Sequence, residues 1–156
     1  MDELRKHLVD LLDMKGAHVD FDSTVRKFPV KLRGAKPKSL PHTAWELLEH
    51  LRIAQWDILE FSRDAKHVSP AWPDGYWPDS SKPSSEAAWQ KSVKQFKHDL
   101  EEMKALISDP KSDLFARIAH GDGQTLMREA LLIADHNSYH LGQLMLVRKM
   151  LEARGA

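Results

Sequence analysis

The chain contains no cysteine. That excludes a disulfide framework, a thiolate metal site and a cysteine nucleophile, and it is compatible with a reducing cytoplasm. An excess of either charge is also missing. Lys+Arg and Asp+Glu both number 23, so the net charge is zero, which argues against a general attraction to nucleic acid or to anionic lipid. No apolar run approaches the ~20 residues that a membrane span requires. The opening MDELRKHLVD is charged from its second residue and lacks the apolar centre of a signal peptide. Strand patterning is weak throughout, and there is neither a low-complexity tract nor a repeat at a solenoid period. These absences lead us to expect one soluble, cytoplasmic domain spanning residues 1–156, with no nucleic-acid or membrane partner.

What the chain does have is helical periodicity. Hydrophobic residues make up 42% and charged residues 29% of its 156 residues, the balance of a globular protein. Leu4, Leu8, Leu11 and Leu12 recur at three- and four-residue spacing, and Gly16 stops the pattern. A short helix is predicted over about 22–28, followed by an extended loop over 33–41. Thr43 caps a second long helix with Glu46 placed for a capping box. Residues 66–85 hold four prolines and three large aromatics, a density that excludes regular structure. A third long helix, about 85–107, carries Trp89, Val93, Phe96, Leu100, Met103 and Leu106 or Ile107 on one face. The last and longest runs from about Thr125 to Ala153. Four long amphipathic helices in a chain of this size predict an all-α, four-helix bundle with long connecting loops.

The strongest chemical signal is HNSYH, residues 136–140. On a helix, i and i+4 lie one above the other, so both imidazoles face the same side and one ion can accept a nitrogen from each. The bare spacing also suits two solvated or core histidines. Its setting favours the metal, because His136 and His140 flank the core stripe Leu126, Ala130, Ile133, Leu141, Leu144 and Leu151. Imidazoles buried there without a partner are costly. Asn137 follows His136, which excludes the zinc-protease pattern with its general-base glutamate.

A third ligand has to lie upstream. His50, at the edge of the buried arc of the second long helix, is the best placed; His7 ranks second. His98 reads as solvated, and His42, His67, His18 and His120 occupy turns or loops, the last two either at a site entrance or, as the simpler reading, with surface roles. Glu129 and Gln143 share the flank of the histidine pair, and Asp57 follows His50 by two turns. Each is a candidate ligand-orienting or acid–base group, or simply a polar residue at the border of a face. The aromatic segment 70–78 is a lid over a pocket or a plug on the bundle. A second apolar stripe, Trp45, Leu48, Trp56 and Leu59, needs a cover from that segment or from a second copy of the chain.

Three blocks in order, LLEHLRIAQWDI, the YWP loop and LLIADHNSYHLGQLMLVRKML, resemble the DinB/YfiT-like family of metal-binding four-helix bundles across essentially the whole chain. The resemblance implies a divalent metal held by His50, His136 and His140, with water completing the coordination, and often a homodimer. Some members of that family are S-transferases or isomerases that use low-molecular-weight thiols; others have no known activity. The expectation is therefore a metal-dependent hydrolase or thiol transferase acting on a small-molecule substrate, with Glu129 as proton carrier. Zinc or nickel is favoured, with iron or manganese also compatible. The alternatives are a non-catalytic metal- or ligand-binding module and a stress-related dimeric interaction protein.

Overall fold

The computed structural model describes residues 2–153. Helices α1 (Glu3–Leu12), α2 (Phe21–Val25), α3 (Ala44–Arg63), α4 (Glu86–Ser108) and α5 (Leu126–Glu152) are joined by loops carrying two short 3-10 turns. Among the described residues there is no strand, only an isolated bridge between Arg117 and Thr125. No helix among them is long and apolar enough to cross a membrane.

Each helix starts where a small polar side chain accepts an otherwise unpaired amide. Asp2, Asp20, Thr43, Ser85 and Thr125 cap α1 to α5 in turn, and Thr43 forms the expected capping box with Glu46. Helix α3 packs against both α4 and α5, and α1 closes the opposite side between the same two. This is a four-helix bundle in which α2 is a short addition lying on α5. The core combines the α5 stripe from Leu126 to Leu151 with Trp89, Phe96 and Met103 of α4, and Leu47, Leu48 and Leu51 of α3.

Several expectations change. Leu4 and Leu11 are 38% and 49% exposed, because α1 is only ten residues long and buries one narrow edge through Leu8 and Leu12. The short helix begins and ends earlier than its sequence pattern indicates, at Phe21–Val25. Val30–Leu32 forms a 3-10 turn just before the predicted loop. Most of the stripe along α3 is covered from within the chain. Leu48 and Leu59 are fully buried, Trp45 faces Trp89 of α4 with ring centroids 6.4 Å apart, and His67 of the following loop meets Trp56 edge-on. Trp56 stays half-buried and borders an open groove between α3 and α4.

Arginines secure the connections. Arg5 is buried and donates to the carbonyls of Ile107, Asp109 and Ser112, so one guanidinium satisfies the C-terminal end of α4 and the turn beyond it. Arg148 donates to the carbonyls of Ser23, Thr24 and Arg26, fixing the end of α2 to α5. Arg33 donates to the Phe28 carbonyl, pairs with Glu86 and lies over Trp89.

Removing the Arg5 fork leaves buried carbonyls unpaired. Arg5→Ala is expected to lower the free energy of unfolding in urea by roughly 1.5–3 kcal/mol, with Arg5→Lys recovering only part of it, since an ammonium cannot span three acceptors.

Candidate metal centre

His50 sits on the inward face of α3, and His136 and His140 lie one turn apart on α5. The packing of α3 on α5 brings them together. The Nε2 atoms of His136 and His50 are 3.1 Å apart, and those of His50 and His140 3.2 Å apart. One ligand atom from each of the three lies within 4.8 Å of the others. His50 is buried, and the other two are half-buried.

The surroundings determine which nitrogen carries the proton in two of the rings. Nδ1 of His50 stands 2.9 Å from the carbonyl oxygen of Tyr76, which can only accept, so that nitrogen donates. Nδ1 of His140 likewise donates to Oε1 of Gln143, at 2.8 Å. In the neutral rings, both Nε2 atoms are then bare lone pairs facing each other at 3.2 Å. Two acceptors cannot hydrogen-bond, and a cation between them removes the conflict. The separations also suit an ion: imidazole nitrogens ~2.0–2.1 Å from a tetrahedral metal stand ~3.3 Å from one another. The donor set therefore fits a divalent metal.

Burial keeps the rings neutral. It pushes His50 down from 6.5 to about 4, with His140 and His42 adding to the shift against the Tyr76 carbonyl. Burial also pushes His136 down to about 4, assisted by His140 and His50, and it lowers His140. Neutral imidazole is the form that binds metals.

The aromatic segment is a wall of this site. Trp77 lies flat on His50, with ring centroids 4.0 Å apart and planes 1° from parallel, and His42 stacks on Trp77 at 4.2 Å. The Tyr76 hydroxyl donates to Oδ2 of Asp57, whose Oδ1 pairs with Nε2 of His67. Burial and then the Asp57 hydrogen bond push the Tyr76 phenol up to about 12, so it stays a donor. Asp57 thus grips the loop at two points, and the loop returns a carbonyl to His50. Gly75 permits a close turn, since a Cβ there would lie 2.9 Å from that of Pro70.

Of the expected residues, His50, His136 and His140 converge, and Gln143 orients His140. Asp57 acts on His50 only through Tyr76. Glu129 is 1% exposed and pairs with Arg128; none of its hydrogen bonds reaches a histidine, and it lines a separate small pocket beside Asp57 and Ser69. His7 is exposed beside Glu3 on α1, and His18, His98 and His120 are exposed as well. His67 lies in the loop as expected, yet its side chain is only 8% exposed, held by the buried Asp57. Tyr76 and Trp77 belong to the aromatic segment whose composition and YWP block mark it in the sequence, whereas no sequence signal points to His42 as a neighbour of the site. A groove of ≈ 700 Å³ between α3 and α4 is lined by Trp45, Arg52, Trp56 and Lys91 and by none of the three histidines. A cavity of ≈ 40 Å³ bordered by His42, Leu47 and Gln143 adjoins the site.

Fold and site together define an all-α bundle with three histidines positioned to bind a divalent metal ion. A family model described as the DinB superfamily matches residues 14–144, a span that includes all three histidines. The chain belongs to the DinB superfamily. No curated protein and no solved structure matches it.

The depressed histidines have a consequence for the metal-free protein. Between pH 6.5 and about 4 the unfolded chain binds protons that the folded rings refuse. The stability these groups contribute is complete above pH 6.5 and falls as pH drops through that window. Urea unfolding of chelator-treated protein is expected to show this slope, and a variant carrying both His50→Gln and His136→Gln a flatter one.

Proposed function

We propose that the protein is a metal-dependent enzyme of the hydrolase or thiol S-transferase type, acting on a small molecule at the three-histidine site. One observation carries this reading. Among the described residues no fourth His, Asp or Glu joins the cluster, so the protein leaves part of the coordination free, as catalytic centres do and closed structural sites do not. A divalent ion bound there supplies Lewis acidity that makes water or a thiol nucleophilic near neutral pH. The protein's own part is to present three neutral imidazoles, to orient two of them through Tyr76 and Gln143, and to wall the site with Trp77.

Two groups are candidates for moving a proton. Glu129 lies two turns, or about 10 Å, before His136 along α5. His42 is half-buried, stacks on the outer face of Trp77 and is close enough to oppose protonation of both His50 and His140. Comparing the pH–rate profiles of His42→Gln and Glu129→Gln separates them: the true carrier loses one limb of the profile and the other variant keeps it.

The second reading, a metal-binding module without catalysis, draws support from the small size of the cavity beside the histidines. Metal content tests the ligand set common to both readings. His50→Ala and His140→Ala are each expected to lose tight binding of zinc or nickel, and a full equivalent retained by both variants overturns the assignment. Turnover then separates the two readings. Metal-loaded protein is expected to act on members of a panel of esters and thiol acceptors, with the activity abolished by chelation and by His140→Ala. A fully loaded, stable protein inert toward the whole panel favours the module.

A further inference from the structure

The groove between α3 and α4 takes no part in the metal centre, and its walls are unevenly charged. Trp45, Glu49, Arg52 and Trp56 stand at i, i+4, i+7 and i+11 of α3, so they share one side of that helix, and all four line the groove. Ile53 and Pro70 add apolar surface, and Lys91 joins from α4. The space of ≈ 700 Å³ is that of a small-molecule site.

The charged lining residues are one carboxylate, Glu49, and two cations, Arg52 and Lys91. Nε and Nη2 of Arg52 donate to the two oxygens of Glu49, both at 2.9 Å. That leaves Nη1 as the part of the fork which the pair does not use. Burial opposes the charge on Glu49, yet hydrogen bonds from Arg52 and Ser92 and the charges of Arg52 and Lys91 hold its carboxyl below the usual carboxylate range. With Glu49 matched by Arg52, the exposed Lys91 ammonium is a cation in excess. Asp99 does not balance it: that side chain is 3% exposed, accepts from Gln95, and is pushed up by burial toward its neutral form.

The same wall holds an unanswered donor. Trp45 is 7% exposed, and its Nε1 is buried without a hydrogen-bond partner. Such a donor beside a groove points to an acceptor from outside the chain. Because Arg52 turns back to Glu49, one turn beyond Trp45, the cationic part lies toward the Trp45 end. Half-buried Trp56 and Ile53 make the other end apolar. An anion with an apolar body matches both ends. A second copy of the chain fits less well, since a twofold contact would set the excess positive charge against itself.

We propose that this groove is a ligand site for a small aromatic carboxylate, its carboxylate held by Arg52 and Lys91 and its ring lying against Trp56 and Ile53. None of the three histidines lines it, so binding here is read out independently of any metal.

The test is titration of chelator-treated, ¹⁵N-labelled full chain with phenylacetate, followed through the indole ¹H–¹⁵N signals, which Trp45→Phe and Trp56→Phe assign. Saturable shifts of the Trp45 and Trp56 signals are expected, with the neutral phenylacetamide binding roughly 10-fold more weakly. Arg52→Gln is expected to weaken phenylacetate binding about 10-fold. Lys91→Glu, at an exposed position that folding tolerates, is expected to weaken it roughly 5-fold, and Lys91→Arg to retain it. No saturable shift at millimolar phenylacetate overturns the proposal, as do equal affinities for acid and amide or shifts confined to Trp72 and Trp77. A dimer in sedimentation that Ile53→Glu dissociates assigns the groove to a second copy and overturns it as well. Each of these failures leaves the metal reading standing, because the titration is made without an ion.

Discussion

Two neutral imidazole nitrogens repel when each ring keeps its proton on the far side, and the functional region of this protein is arranged around that conflict. The Tyr76 carbonyl and the Gln143 amide hold the protons of His50 and His140 away from one another, leaving lone pairs 3.2 Å apart inside the bundle. Water cannot relieve this freely, because His50 is buried and Trp77 lies flat against it. A cation removes the repulsion and turns a destabilising cluster into a stabilising one. An ion held by these three histidines would therefore also stabilise the fold.

Neutral groups, not charges, keep that arrangement in place. The groups that hydrogen-bond the outer nitrogens are a backbone carbonyl and a side-chain amide, and neither adds a negative charge to the centre. Three neutral imidazoles leave an ion its full double charge, which suits Lewis acidity better than an anionic ligand set does. The carboxylate of Asp57 is kept a residue away: it grips Tyr76 and His67 and so holds the aromatic segment, while its charge is taken up by those two partners. That gives the segment a defined role as a fixed wall carrying one ligand-orienting carbonyl.

Much of the fold is legible in the sequence because it depends on local rules. Cap residues, capping box and apolar spacing each act within about one turn, so Thr43 with Glu46 marks the start of α3 and the stripe from Leu126 to Leu151 marks the buried face of α5. The expectations that changed depended on distant partners. Leu4 and Leu11 show the same spacing as Leu8 and Leu12, yet α1 meets its neighbours along too narrow an edge to bury all four. The Trp45 to Leu59 stripe reads as uncovered until α4 is laid upon it.

The site divides in the same way. That His136 and His140 face one side of one helix follows from the helical repeat, which admits no other outcome, and the apolar pattern puts His50 at the border of the buried face of another. It takes the packing of α3 on α5 to make these faces meet with nitrogens 3.1 and 3.2 Å apart. Tertiary packing also decides that Trp77 and the Tyr76 carbonyl close over His50, that His67 is buried against Asp57, and that Glu129 lies apart with Arg128. The reason is physical: periodicity sets the direction of a side chain about its own axis, whereas tautomer, burial and proton affinity are set by whichever groups the packing brings against it, and those come from residues dozens of positions away.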